Sequence, residues 1–361
     1  MELEQWDGGG QGSGIVGLRG MRRSGFGSQT QRDSGQPNPT RKIERFANLA
    51  HGSATYRARW SPTSAVVCTI SDLEDRNMGS QSEALKWEVF VTPGIPVAQA
   101  ERPEGIKETF FQAMASTIIY GERDAVLVDA FMTVAQANTL ADWVASKHKN
   151  LTTIYITHGH GDHWFGVGTL LARFPHAKVV ATANTIQVMQ GNASPQGLAA
   201  WGAAFPGQIP QNLLMAEELK GDVFELEGRD LRVVELGHTD TDATTCLYVP
   251  SLGLVVAGDA VYNDVHLYLV ESNSEQRHEW LAALDKIEAL KPTAVVASHK
   301  RPESNDSPRI IDETRQYIRD FDRLLKATSS RQELYEKMLA LYPNRVNPGW
   351  ALWSSAHAAK P

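Results

Sequence analysis

Residues 157–163 read Thr-His-Gly-His-Gly-Asp-His, so three imidazoles and one carboxylate fall within positions 158 to 163. Neutral imidazole is the commonest ligand of borderline metals such as zinc, and a carboxylate adds charge neutralisation. One ion holds about four ligands, often only three of them from protein in a catalytic site. Four donors in one loop would crowd a single ion, so the spacing points to two adjacent ions sharing them. Gly159 and Gly161 are expected to let the loop bend so that the flanking side chains converge.

The elements around this loop must hold it. Leu151 to Ile156 (LTTIYI) reads as a short β-branched strand, and WFGVGTLLARF after it reads as a helix. The cluster therefore sits at a strand's C-terminal end, where α/β folds place their chemistry. Other apolar strands end the same way: DLRVVELGHTD at His238, GLVVAGD at Asp259, PTAVVASH at His299 and, upstream, DAVLVDA at Asp129. Further strand-like runs are KWEVFV, ASTIIYG, AKVVAT, DVFELEG and TTCLYV, with helical patterns in VAQANTLADWVASKH and SEQRHEWLAALDKIEAL. This alternation alone supports an α/β fold.

With His158, His160, Asp162, His163, His238, Asp259 and His299 in that order, the chain resembles the metallo-β-lactamase-fold hydrolases over about residues 85 to 310. The resemblance implies a four-layer αβ/βα sandwich with the site at the edge between two sheets. It implies that His158, His160 and His238 hold a first metal, that Asp162, His163 and His299 hold a second, and that Asp259 bridges them. Asp129 matches an upstream acidic position that orients a ligand histidine. Two divalent cations are the expected cofactors, zinc by default, with iron, manganese or cobalt able to use the same donors. Flavodiiron-type relatives carry Glu where this chain has His160, which disfavours an oxygen-reducing centre. Several true β-lactamases lack the bridging carboxylate, which leans the reading toward dinuclear lactonases and thioesterases.

Asp259-Ala260-Val261-Tyr262 is similar to a segment of N-acyl-homoserine lactonases in which a tyrosine points at the substrate carbonyl. The alternative for Tyr262 is a ring packed on the core with its hydroxyl at the rim. Paired cations acidify a shared water to hydroxide, which attacks an electrophilic carbonyl. The catalytic expectations are then Asp162 as proton shuttle and Tyr262 as hydrogen-bond donor to the developing oxyanion. The leading reading is opening of a cyclic ester or cyclic amide. Alternatives are thioester hydrolysis of glyoxalase II or acyl-carrier type, β-lactam hydrolysis, and a non-catalytic metal-binding sensor. Trp164, Phe165 and His266 are candidate pocket residues, set against ordinary core packing. Lys300 and Arg301 are candidates to meet a substrate carboxylate.

The net charge of −7 disfavours a nucleic-acid partner, and the apolar runs are too short to span a membrane. A small-molecule substrate is expected. The only cysteines, Cys68 and Cys246, are far apart, which favours a reducing, cytoplasmic setting. Ten glycines fall in the first 35 positions, so residues 1–80 are expected to be disordered. An Arg- and Ser-rich stretch from Met21 faintly resembles an organelle-targeting segment, and a start at Met78 is the plainer account. Residues 81–305 should form the hydrolase domain. Residues 306–361 contain two amphipathic helices, RIIDETRQYIRDFDRLL and RQELYEKMLALY, followed by Trp350 and Trp353. They are expected to pack on the domain, cap the site or form a homodimer contact.

Overall fold

A computed structural model describes residues 84–99 and 101–360. The segment expected to be disordered, and Met78, lie outside the described residues. The chain opens with a meander, β1 (Lys86–Thr92), β2 (Met114–Tyr120) and β3 (Asp124–Val128), then runs through α1 (Val134–Ala145), β4 (Asn150–Tyr155), α2 (Gly161–Trp164), α3 (Val167–Arg173) and β5 (Lys178–Ala181). A helical hairpin follows, α4 (Ala183–Asn192) and α5 (Pro195–Ala204), and then β6 (Glu217–Glu218). The second half comprises β7 (Val223–Leu226), β8 (Arg229–Gly237), β9 (Thr244–Val249), β10 (Leu254–Val256), β11 (Tyr262–Asn263), α6 (Ser274–Ala289), β12 (Ala294–Val296) and β13 (His299–Lys300). The helices α7 (Arg309–Ala327), α8 (Arg331–Leu341) and α9 (Trp353–Ala359) close the chain.

Two sheets result. The first runs β11-β13-β2-β3-β4-β5-β6, with β1 also paired to β2; the second runs β12-β10-β9-β8-β7. Strand periodicity explains the layering. Ile119, Val126, Val128 and Tyr155 point inward against Leu231, Val233, Leu247 and Val256 of the second sheet. Their neighbours Ile118, Leu127 and Ile154 point outward and pack with Leu140, Val144 and Leu170 of α1 and α3. On the far side, Cys246, Val255 and Val295 pack against Trp280, Leu284, Ile318 and Phe321 of α6 and α7. Central strands covered on both faces read as continuous apolar runs, which is why DAVLVDA differs so little from any other buried segment. The architecture is the expected four-layer αβ/βα sandwich. Helix α7 buries Ile310, Ile311, Thr314, Tyr317, Ile318, Phe321 and Leu324, a single helical stripe, into the core beneath the second sheet.

The helix expected from Trp164 to Phe174 is interrupted. Gly166 donates its N–H to Phe131 O, and a Cβ there would meet Ala130 O at 2.2 Å. Backbone contact with the β3–α1 loop therefore separates α2 from α3. The hairpin α4–α5 carried no readable stripe because α5 buries no side chain and α4 buries only Thr185 and Met189. Its caps were legible in principle: Thr182 and Ser194 each accept a hydrogen bond from a first-turn N–H.

Trp280 couples the core to the sheet edge. Its ring is fully buried and its Nε1 donates to Ala260 O at 2.8 Å, fixing the turn that carries Asp259. Trp280→Ala is expected to lower the unfolding free energy by about 3–5 kcal/mol in urea titrations followed by circular dichroism. An unchanged midpoint would remove Trp280 from this role.

Candidate metal centre

The chain crosses between the sheets twice at one edge. It leaves β10, turns through Gly258–Ala260 and enters β11; it leaves β12, passes Ala297 and Ser298, and enters β13 at His299. The crossings run side by side, with Ser298 N–H donating to Gly258 O at 3.0 Å and Ala257 N–H donating to Val296 O at 2.8 Å. Gly258 has φ +58°, and a Cβ there would lie 2.9 Å from Thr157 Oγ1, so both space and backbone favour glycine. The loop after β4 meets these crossings from the adjacent strands. Gly159 and Gly161 are absent from the positive-φ positions; what they supply is room, since a Cβ would meet Val188 of α4 or the Phe165 ring at 2.5 Å.

Each histidine of the set has one ring nitrogen tied down. His158 Nδ1 lies 3.1 Å from Thr157 Oγ1, His163 Nδ1 2.8 Å from Asp129 Oδ2, His299 Nδ1 3.1 Å from Ala113 O, and His238 Nδ1 2.6 Å from Asp242 Oδ1. His160 is reversed: its Nε2 lies 2.9 Å from Glu271 Oε1, which turns Nδ1 inward. The opposite atoms converge. Asp162, His163 and His299 bring ligand atoms within 4.8 Å of one another, as do His158, His160 and Asp240, and His158, His163 and Asp259. Asp259 lies near both sets: it clusters with His158 and His163, and its Oδ2 is 3.2 Å from His299 Nε2. His238 belongs to none of these three clusters, although its Nε2 is buried and unpartnered.

The residues fit a dinuclear metal centre. His158 Nε2, His163 Nε2, His238 Nε2, Asp240 Oδ2 and Asp259 Oδ1 are all buried without a hydrogen-bond partner. Such orphaned groups are costly unless something satisfies them. Tetrahedral bonds of about 2.0–2.1 Å place donor atoms about 3.3 Å apart. The spacings of 3.3 Å (His163 Nε2 to Asp162 Oδ2) and 3.2 Å (His299 Nε2 to Asp162 Oδ2) match. Tying the far nitrogen to a carboxylate, hydroxyl or carbonyl is how metal-binding histidines are oriented.

Charge is balanced by proximity. Burial pulls His163 down, but Asp162, Asp259 and Asp129 hold it well above the usual imidazole range. Burial likewise opposes the charge on His299, and Asp259 and Asp162 lift it to about 10. Burial raises Asp162, yet His163 and His299 keep it well below the ordinary carboxylate value. Asp162, His163 and His299 thus hold one another in their charged forms.

A cavity of about 320 Å³ opens over the centre and is lined by His160, Asp162, Asp259, Tyr262 and His299. Its apolar wall is Phe111, Trp201, Phe205 and Trp350; its polar rim is Gln112, Asn192, Tyr268 and Glu271. Among the described residues, no lysine or arginine lines it. Lys300 is buried against Asp306, and Arg301 reaches Asn344 O, so neither meets the cavity. Trp164 and Phe165, expected at the pocket, lie in the core instead: Trp164 Nε1 donates to Gly159 O, and the two rings pack edge to face. His266 also lies away from the lining, buried with Nδ1 2.9 Å from Tyr317 Oη. Tyr262 lies with its ring buried and its hydroxyl at the cavity. Its ring stacks on His299, and its hydroxyl donates to Asp259 Oδ2 at 2.9 Å on the cavity wall.

Asp240, Asp242 and Glu271 were not anticipated. The first two stand two and four residues after His238 in GHTDTD, a visible signal; Glu271 has none.

The family described as the metallo-beta-lactamase superfamily matches residues 113–299, and the chain belongs to it. It is a metal-dependent hydrolase superfamily. The chain is 31% identical over 114 residues to a hydroxyacylglutathione hydrolase of Francisella tularensis subsp. holarctica, covering 30% of this chain and 44% of that protein. It is 24% identical over 186 residues to a hydroxyacylglutathione hydrolase of Prochlorococcus marinus, covering 50% of this chain and 62% of that one. The match thus spans less than two thirds of these relatives. A solved metallo-beta-lactamase family protein of Thermus thermophilus superposes with a TM-score of 0.48 at 20% identity, covering 74% of this chain and 92% of that one.

Asp129→Asn should preserve shape while weakening the acceptor of His163, and affinity at the second metal position should fall about 10- to 100-fold in chelator competition. His266 gives a pH prediction. Burial pushes its imidazole down to about 3, whereas an unfolded histidine titrates near 6.5. The unfolded chain therefore binds the extra proton between those values. The stability tied to this group is present above about pH 6.5 and declines as pH falls, by about 1.4 kcal/mol per unit. His266→Gln should flatten that part of the curve in denaturant titrations across pH.

Proposed function

We propose that the protein is a dinuclear, zinc-loaded hydrolase that opens neutral lactones carrying an apolar acyl group. The observation that carries this reading is the cavity: aromatic on one side, bounded by Glu271 on the other, and without a lysine or arginine among the described residues. In this reading His158, His160 and His238 hold one ion, Asp162, His163 and His299 the other, and Asp259 touches both. When bound, such ions supply Lewis acidity that activates water and polarises a carbonyl.

The chain's own residues do the rest. Phe111, Trp201, Phe205 and Trp350 exclude water and hold the acyl chain, leaving the carbonyl toward Asp259 and Tyr262. The Tyr262 hydroxyl, whose one proton is directed at Asp259 Oδ2 in the structure, turns that proton to the charge that develops on the carbonyl oxygen. Asp162 lines the same cavity, takes the proton released by the attacking water and passes it to the leaving alkoxide.

Thioester hydrolysis is the second reading, favoured by the names of the relatives. A glutathione thioester brings carboxylates of its own, and Glu271 would repel them where no lysine or arginine lines the wall. A neutral thioester fits better than a glutathione thioester.

The test is a pH-indicator assay on metal-replete protein with a chelated control, using a lactone series of increasing chain length beside neutral thioesters and a hydroxyacylglutathione. Metal-dependent acid release from the lactones should rise several-fold per pair of methylenes until the cavity is filled. Turnover of the glutathione thioester alone would overturn the lactone reading. Tyr262→Phe should lower kcat about 100-fold with two metals retained, measured on the best substrate.

A further inference from the structure

Beside the two histidines His158 and His160, Asp240 brings a third ligand atom within 4.8 Å at the expected first metal position. Asp240 is fully buried, and its Oδ2 lies 2.8 Å from His160 Nδ1 and 3.5 Å from His158 Nε2. That oxygen has no hydrogen-bond partner, so its contact with His160 is close without being aligned as a donor–acceptor pair. The other oxygen is anchored: Asp240 Oδ1 accepts from Thr239 Oγ1 at 2.8 Å. Asp240 thus shows the arrangement found in the histidines, with one atom tied down and one aimed at a common point. His158 Nε2, on the same point, is equally orphaned. An ion pair with His160 alone would leave His158 Nε2 unsatisfied and would give the carboxylate a hydrogen bond from the imidazole. One cation at the point where all three atoms meet satisfies them together.

We infer that Asp240 is a ligand of the first metal ion, giving that position three imidazoles and a carboxylate of its own beside Asp259. This assignment rests on the metal-binding reading of the site but on no choice of substrate. The added anionic oxygen neutralises the ion more fully and moves the position from a nitrogen-rich set toward the mixed nitrogen and oxygen donors that iron and manganese also accept.

The experiment is metal binding by full-length wild type, Asp240→Asn and Asp240→Glu, with metal content after dialysis against buffered zinc and the visible spectrum after cobalt substitution. Wild type should retain two ions per chain. Asp240→Asn should lose one at the same free zinc, and with cobalt added to saturation should give stronger, shifted d–d bands as the first ion falls to lower coordination. Asp240→Glu should restore much of the wild-type spectrum. An Asp240→Asn protein with two ions and an unaltered cobalt spectrum would overturn the assignment, leaving Asp240 to orient His160. Wild-type protein that binds no metal would overturn the reading beneath it as well, a result distinct from the first.

Discussion

The carboxylate of Asp129 sits where four segments of chain meet, and their mutual placement depends on it. Its Oδ1 accepts the Thr157 N–H at 3.0 Å, fixing the end of β4 as the ligand loop begins. Its Oδ2 faces His163 Nδ1 at 2.8 Å and accepts from Ser298 Oγ at 3.0 Å, reaching α2 and the crossing into β13. Asp129 itself ends β3 with φ 63°, a left-handed conformation that aspartate tolerates better than most residues. Burial would raise its pKa, but His163, His158 and the Thr157 amide keep it below the ordinary value. A shorter side chain would leave four donors, the Thr157 N–H and hydroxyl, His163 Nδ1 and the Ser298 hydroxyl, without their shared acceptor. Loop, helix and crossing would lose the reference that brings their ligand atoms together.

Around that anchor, a single construction is repeated with different partners. Threonine hydroxyl, carboxylate or main-chain carbonyl holds one nitrogen of each imidazole, and the other nitrogen is left to the centre. Burying so many charges is costly unless they are paired, and pairing by imidazolium alone leaves several atoms without partners. Two divalent cations held by these residues would satisfy the same atoms in place of protons, which would couple metal binding to the integrity of this sheet edge. The rigid supports, Trp280 beneath the Asp259 turn and the tight Gly258–Thr157 contact, keep the geometry ready before an ion arrives.

How much of this could be read from residues alone depended on which kind of signal carried it. The candidate ligands stood out because His and Asp recur at the ends of strands, three of which pass from apolar runs to glycine at 159, 237 and 258. The sandwich layers followed from strand periodicity together with the resemblance. The walls of the cavity were illegible for a physical reason. Gly191, Gly197, Ala200 and Ala204 of the α4–α5 region are small residues on helices without a buried stripe, and nothing in their spacing distinguishes a cavity wall from exposed surface. Conversely, Trp164 and Phe165 adjoin the ligands in sequence, yet the turn into α2 points both rings into the core. His266 is three residues from β11 and still faces Tyr317, because β11 lasts only two residues and the chain turns away at Asp264, where φ is 59°.

The division between chemistry and specificity follows from where these parts lie. The family match ends at His299, so it encompasses the centre and leaves out Trp350, which comes from the C-terminal segment and packs on Phe111. Phe111 itself lies just before the match begins. Two of the four aromatic walls are therefore supplied by chain outside the shared region. On the proposed reading, the acyl group admitted depends on a wall that Trp350 helps to build, and a cavity without a lysine or arginine among the described residues disfavours anionic substrates. On that reading the shared centre carries out the hydrolysis, and the walls that Phe111 and Trp350 add from outside the matched region decide which acyl group enters.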